Sequence, residues 1–140
     1  MFSAKHLKKS IGETGEEIAS KYLIRNGYKI LERNYRYKSD EIDIIAKDKN
    51  GCLIVFEVKS ALSKTSRTDD TLDPERNFTK TKIERLKRIS KMFVAKHPKL
   101  INSKEGWRVD LLAIVISHKK ITIRHYKNAI HDAAKQKPYL

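Results

Sequence analysis

The chain has 140 residues, 39% apolar and 34% charged, which fits one globular domain with its own core and is too apolar for a wholly disordered chain. Its 31 Lys and Arg against 17 Asp and Glu leave a net charge of +14, the balance of a protein that meets a polyanion. No apolar run approaches the ~18 residues of a membrane span, the basic residues 1–10 lack the apolar core of a secretory signal, and the single cysteine, Cys52, excludes an internal disulfide and a cysteine-based zinc site, so a reducing, cytoplasmic setting is expected.

Ser10 and Glu13 form a capping-box pair, which predicts a first helix from Ile11 to Asn26. Ile11, Gly15, Ile18, Ala19, Tyr22 and Leu23 share one face of it, and Gly27 is the left-handed residue that ends it. Strands are expected over 28–37, 41–47 and 52–59. In the third, Leu53-Ile54-Val55-Phe56 is continuously apolar and should be buried on both faces. Asn50-Gly51 marks the turn before it. The polar segment 62–75 reads as a mobile loop. A second helix follows from about Thr79 to His97, with Ile83, Leu86, Ile89, Phe93 and Val94 as its apolar stripe and Pro98 as its stop. Thr81 and Glu84 offer a second capping box, so its start is open by a turn. Trp107 to Ser117 and Ile121 to His125 are strands around a turn at His118-Lys119-Lys120, and 135–140 is a frayed tail. The order α-β-β-β-α-β-β describes one α/β domain over 1–140, with a mixed central sheet flanked by helices.

The chemistry concentrates in the first 60 residues, which hold 9 of the 17 acidic residues. Glu57 and Lys59 lie two apart on a strand and so share a face. A charged pair that continues an apolar strand is the local inconsistency expected at a functional site, unless the strand simply reaches solvent there. Asp43 sits between Ile42 and Ile44 on the preceding strand, where an aspartate is disfavoured unless paired. A two-residue turn at Asn50-Gly51 would set Asp43 opposite Val58. A three-residue loop, Lys49-Asn50-Gly51, sets it opposite Glu57 and places Gly51 at the left-handed last position of that loop type. The three-residue loop is therefore preferred. Two facing carboxylates repel, a bound cation removes the penalty, and oxygen-only ligands select Mg²⁺ or Mn²⁺. Glu16 flanks the apolar stripe of the first helix and can supply a third carboxylate, whereas Glu17 faces water. Glu41 shares a face with Asp43 and is a weaker fourth candidate.

The second helix is strongly basic. Lys80, Lys82 and Arg85 are candidate phosphate contacts on it, with Lys82 flanking the apolar stripe and able to point into the site. Arg88 and Lys91 point away from the core and would touch a nucleic-acid backbone at most. Arg36, interleaved with Tyr35 and Tyr37, is a further nucleic-acid contact, although tyrosines on a strand more often pack. Arg108 is another. Asp110 orders the sheet or pairs with a base. The five histidines show no metal-ligand spacing, and no role is assigned to them.

Gly12-x-x-Gly15-Glu16-x-x-Ala19-x-x-Tyr22-Leu23-x-x-x-Gly27-Tyr28, Arg33-Asn34-Tyr35-Arg36, Glu41-Ile42-Asp43-Ile44-Ile45, Val55-Phe56-Glu57-Val58-Lys59 and Arg108-Val109-Asp110 together resemble the YraN-like family over roughly residues 11–130. That family is similar to the PD-(D/E)xK nucleases, with a restriction-endonuclease-like fold akin to Holliday-junction resolvases. The resemblance implies metal ligands at Asp43 and Glu57, a helix carboxylate at Glu16, a catalytic lysine at Lys59 and a main-chain carbonyl ligand at Val58. Two positions depart from the family pattern: Asp40 stands where a glycine is usual, and Ala61 where an arginine is usual. The function expected is a Mg²⁺- or Mn²⁺-dependent endonuclease acting on branched or otherwise structured DNA in repair or recombination. No helix-turn-helix or zinc finger is present to read bases. A junction-cutting enzyme would need two sites and hence a homodimer. The rival reading is a non-catalytic module that binds DNA or RNA by charge alone.

Overall fold

The computed structural model describes residues 10–63 and 72–130. Ser10 caps the first helix, α1 (Ile11–Arg25), by accepting the Glu13 N–H at 3.0 Å. Gly27, at φ +85°, ends it and lets the Tyr28 N–H reach the Leu23 carbonyl at 2.9 Å. Three strands follow: β1 (Lys29–Tyr37), β2 (Asp40–Lys47) and β3 (Leu53–Leu62). A short 3-10 turn at Pro74–Asn77 leads to the second helix, α2 (Lys80–Lys96), whose cap is Thr79 rather than Thr81. Strands β4 (Trp107–Ile116) and β5 (Ile121–Tyr126) complete the order α-β-β-β-α-β-β. Among the described residues, no helix is long and apolar enough to cross a membrane.

Strand β3 outruns its expected end at Lys59 because Ser60, Ala61 and Leu62 keep their ladder with the apolar run Ile114–Ile116 of β4. Leu62, expected as the first residue of a mobile loop over 62–75, is therefore the last residue of β3. The loop's residues 64–71, like the tail at 135–140, lie outside the described residues. Its far end is anchored, since Arg124 of β5 donates to the Leu72 carbonyl at 2.8 Å and holds Glu75 at 2.6 Å.

The strands form one five-stranded sheet in sequential order, parallel between β3 and β4 and antiparallel elsewhere. Helix α1 covers one face, where Ala19 and Leu23 pack with Ile44, Ala46, Ile54, Phe56, Leu112 and Ile114. Helix α2 covers the other, where Leu86, Ile89 and Phe93 pack with Ile45, Leu53, Val55 and Val109. The central strand β3 is thus apolar on both sides, as its sequence requires. Tyr35 packs edge-on against Phe93, with ring centroids 5.0 Å apart, so it serves the core and not base stacking.

The β2–β3 connection decides the site. Gly51 takes φ +89°, the Asp48 carboxylate accepts the Asn50 and Cys52 amides at 2.9 and 3.0 Å, and the Asp48 N–H meets the Cys52 carbonyl at 3.1 Å. This is the three-residue loop Lys49-Asn50-Gly51. The resulting register runs from Lys47↔Leu53 to Ile44↔Phe56, and its next step sets Asp43 opposite Glu57.

The ladder stops at that step. Counting in twos from the Asp48–Cys52 hydrogen bond, the Val58 N–H would next have gone to the Ile42 carbonyl. The Asp43 carboxylate accepts it instead, at 2.8 Å. Strand alternation would keep Ile42 and Ile44 on one face. The structure instead places Ile44 in the cluster under α1 and Ile42 in the cluster under α2. Strand β2 therefore turns at Asp43 and separates from β3, and a cleft opens between them.

Candidate active site

The cleft has a volume of about 250 Å³ and is lined by Ser39 from the β1–β2 turn, Asp40, Glu41 and Asp43 from β2, Glu57 and Lys59 from β3, and Lys82, Arg85 and Leu86 from α2. Glu57 and Lys59 share a face, as the strand period demands, and form an ion pair at 2.9 Å. Both are largely buried, at 14% and 15% side-chain exposure, so water screens the pair little. Burial works against the Lys59 ammonium, but the Glu57 carboxylate outweighs it and raises the lysine's pKa.

Asp43 is the perturbed group. Burial, and then the charge of Glu57, push its carboxyl from 3.8 to about 8, although the Val58 amide works the other way. In the protonated form Asp43 hydrogen-bonds to Glu57. Lys82 reaches in from α2 and meets Lys59, and this contact is the first cause of its lowered pKa.

Glu16 approaches from α1 because of Gly15. A Cβ on Gly15 would lie 1.7 Å from the Ser60 Oγ and 2.8 Å from its Cβ, so only glycine lets the helix settle this closely on β3. Burial, followed by the charge of Glu41, raises the Glu16 pKa, and Glu57 contributes to the shift. Glu16 is thus within electrostatic reach of the acid pair but is not in contact with it. Glu16 and Glu41 instead flank the side chain of Asn34. Two carboxylate oxygens can only be met by an amide NH₂, and with that group turned toward them the distances are 2.8 Å to Glu16 Oε1 and 3.1 Å to Glu41 Oε1.

The remaining expected contacts divide. Arg85 lines the cleft and a neighbouring groove that it shares with Lys80, Thr81, Glu84 and Arg88. Arg36 is exposed, 3.5 Å from Glu41. Arg108 is not brought to the cleft. It lies on the α1 side of the sheet, bound to Asp110 at 2.9 Å and close to Asp48 at 3.6 Å. Arg88 does not simply point away, since its Nε and Nη2 hold the Asp40 carboxylate at 3.2 and 3.0 Å on the cleft rim.

Two groups escaped the sequence reading. His125 joins the fully buried Asp110 at 2.8 Å and the Tyr22 hydroxyl at 3.1 Å. Burial would raise the Asp110 pKa, but hydrogen bonds from His125, Arg108 and the Asn128 amide hold it below the usual range. Asn34 is the other. An asparagine inside a strand, tolerant of left-handed backbone, was the available signal for it.

A hard dication fits the donor set. Asp43 and Glu57 are carboxylates forced together by register, and one of them holds a proton at neutral pH that a cation can displace. Among the described residues, no three acidic, imidazole or thiol groups already converge as a closed cage. Asp40 and Glu41 line the cleft as further carboxylates, and Glu16 acts on Asp43 by its charge from outside that lining. What the structure shows of Val58 is its N–H, spent on Asp43.

Fold and site together define a small mixed-sheet α/β domain with an acidic pair and a lysine in a cleft where one strand leaves the sheet. Residues 15–114 match the uncharacterised protein family UPF0102, and a UPF0102 protein of Thermodesulfovibrio yellowstonii is 38% identical over 119 residues, covering 85% of this chain and 94% of that one. The chain belongs to this family, the YraN-like family that its motifs resemble. Two solved structures are similar at low identity. A repair endonuclease from Pyrococcus abyssi is 18% identical with a TM-score of 0.43, covering 79% of this chain and 40% of that one. EndoMS in a complex with double-stranded DNA is 14% identical with a TM-score of 0.38, covering 68% of this chain and 34% of that one. This chain thus spans less than half the length of either structure.

Proposed function

We propose that this protein is a divalent-cation-dependent endonuclease that hydrolyses phosphodiesters in branched or otherwise structured DNA, in repair or recombination. The observation that carries this reading is the convergence of Asp43, Glu57 and Lys59 in a cleft whose opposite wall is basic. Binding a polyanion gains nothing from buried acids. Acids beside lysines serve the opposite need, to hold a cation and a phosphate together.

Asp43 and Glu57 would hold Mg²⁺ or Mn²⁺, with Glu16 and the Val58 carbonyl as further oxygen donors. The ion, when bound, supplies the Lewis acidity that polarises the phosphodiester and acidifies water. The chain's own groups do the rest. Lys82 and Arg85 face the cleft from α2 and bind the phosphate oxygens, and Lys80 extends that contact along the neighbouring groove. Lys59, held protonated by Glu57, offers its ammonium to the charge that gathers on the phosphate as water attacks phosphorus and a P–O bond breaks. A carboxylate of the pair takes the proton that the water releases. Cutting both arms of a four-way junction would require two such sites, hence a homodimer.

The test is cleavage of linear, nicked, flapped and four-way DNA with Mg²⁺ or Mn²⁺, with Glu57→Ala and Lys59→Ala beside the wild type. Cutting by the wild type alone is the expected result. Equal cutting by all three would assign the activity to a contaminant. No cutting, with tight salt-sensitive binding to one structure, would make the protein a non-catalytic binding module.

A further inference from the structure

Asn34 has a place in the sheet that the proposed chemistry has not used. The β1–β2 register pairs Arg33 with Ile44 and Tyr35 with Ile42, so the residue facing Asn34 is Asp43. On its other side the β2–β3 ladder has ended at Ile44↔Phe56, and Asp43 reaches Glu57 through its side chain. Asn34 takes φ +53° within β1, a left-handed conformation that asparagine tolerates better than any residue but glycine. Its amide lies between Glu16 and Glu41. Glu16 belongs to a different layer, on α1, and shares with Asn34, Arg33 and Glu41 a second pocket, to which Glu41 is common with the cleft.

We propose that Asn34 is a positioning residue of the cation site: its amide NH₂ holds the Glu16 carboxylate beside the Asp43–Glu57 pair and presents it as the third carboxylate. The proposal rests on the endonuclease reading and extends it. Without a donor between them, Glu16 and Glu41 repel each other, since Glu41 is already the main charge acting on Glu16. Glu16 would then swing to solvent. Partners that orient a ligand in this way change metal affinity by about 10–100-fold when removed. Glycine is the informative replacement, because it keeps the left-handed backbone and deletes only the amide.

The experiment measures Mn²⁺ binding calorimetrically for the full chain, Asn34→Gly, Glu16→Gln, the double variant and Asp43→Ala. Thermal melts confirm that each is folded. Asn34→Gly should bind Mn²⁺ about 10-fold more weakly than wild type, and should add nothing once Glu16 is Gln. In cleavage, Asn34→Gly should have a reduced kcat at low Mn²⁺ that recovers as Mn²⁺ is raised, with KM for DNA unchanged. Wild-type affinity in Asn34→Gly, or a loss of the same size in both Glu16 backgrounds, overturns the positioning role while Asp43-dependent binding still supports the endonuclease. Wild-type binding that does not depend on Asp43, or no binding, overturns both.

Discussion

Replacing Asp43 with asparagine separates the demands of the fold from those of the site. In the metal-free protein the Asp43 carboxyl has a pKa of about 8, against 3.8 for an ordinary aspartate. A carboxyl raised in this way binds its proton more tightly in the folded state than in the unfolded one. The stability it permits is complete below about pH 4 and is lost as pH rises through 8. At pH 7 the cost is at most about 4 kcal/mol, from ~1.4 kcal/mol per pH unit over the interval above 3.8. The cleft opens to water, which screens part of this, so about 2 kcal/mol is the expected size. Asparagine copies the protonated acid: its oxygen can accept the Val58 N–H and its NH₂ can donate to Glu57. Asp43→Asn should therefore melt about 6 °C above wild type at pH 7–8 in EDTA, at ~3 °C per kcal/mol for a chain of this size. The gap should close toward pH 4. Saturating Mg²⁺ should then raise the wild-type melting temperature and leave the variant unmoved. Melts followed by circular dichroism from pH 4 to 9 supply the readout. A variant that melts below wild type at pH 8, or a gap independent of pH, would refute the reasoning that Asp43 is held in the fold against its charge.

Gly15→Ala should destabilise the protein by about 1–2 kcal/mol in urea, because overpacking against Ser60 exceeds the ~1 kcal/mol gained in helix propensity; an unchanged or raised midpoint would show that α1 can back away at no cost. Lys82→Ala should weaken DNA binding and lower the slope of log affinity against log salt by about 1, and an unchanged slope would remove Lys82 from the phosphate contacts. Arg108→Ala should cost about 2–3 kcal/mol of stability, since Asp110 is fully buried and keeps only His125 and the Asn128 amide. Mn²⁺ affinity and salt slope should not move, and a reduced slope would return Arg108 to the nucleic-acid surface.

What the sequence determined alone was whatever a few neighbouring residues can decide. Ser10, Gly27 and Gly51 mark ends and turns because hydrogen bonds within a few residues, or a positive φ, need those residues. The register that faces Asp43 with Glu57 was legible for the same reason, since the geometry of one short loop propagates along both strands. Glu57 and Lys59 on one face follow from the strand period, and Glu16 beside the apolar stripe from the helical one. Tertiary structure decided everything that depends on a partner distant in the chain. The ladder's end, where the Asp43 carboxylate captures the Val58 amide, is a competition between two acceptors for one donor, and only packing shows which wins. The contact of Gly15 with Ser60 needs two layers to meet. Arg108 reads as a surface cation until the fold brings Asp48 and Cys52 to it, beside its strand neighbour Asp110. Arg88 was claimed by Asp40, 48 residues away, and Asn34 by acids on two other elements. Backbone period and turn chemistry are local and readable, whereas the choice of partner for a charged or amide group is settled by which layers the core brings together.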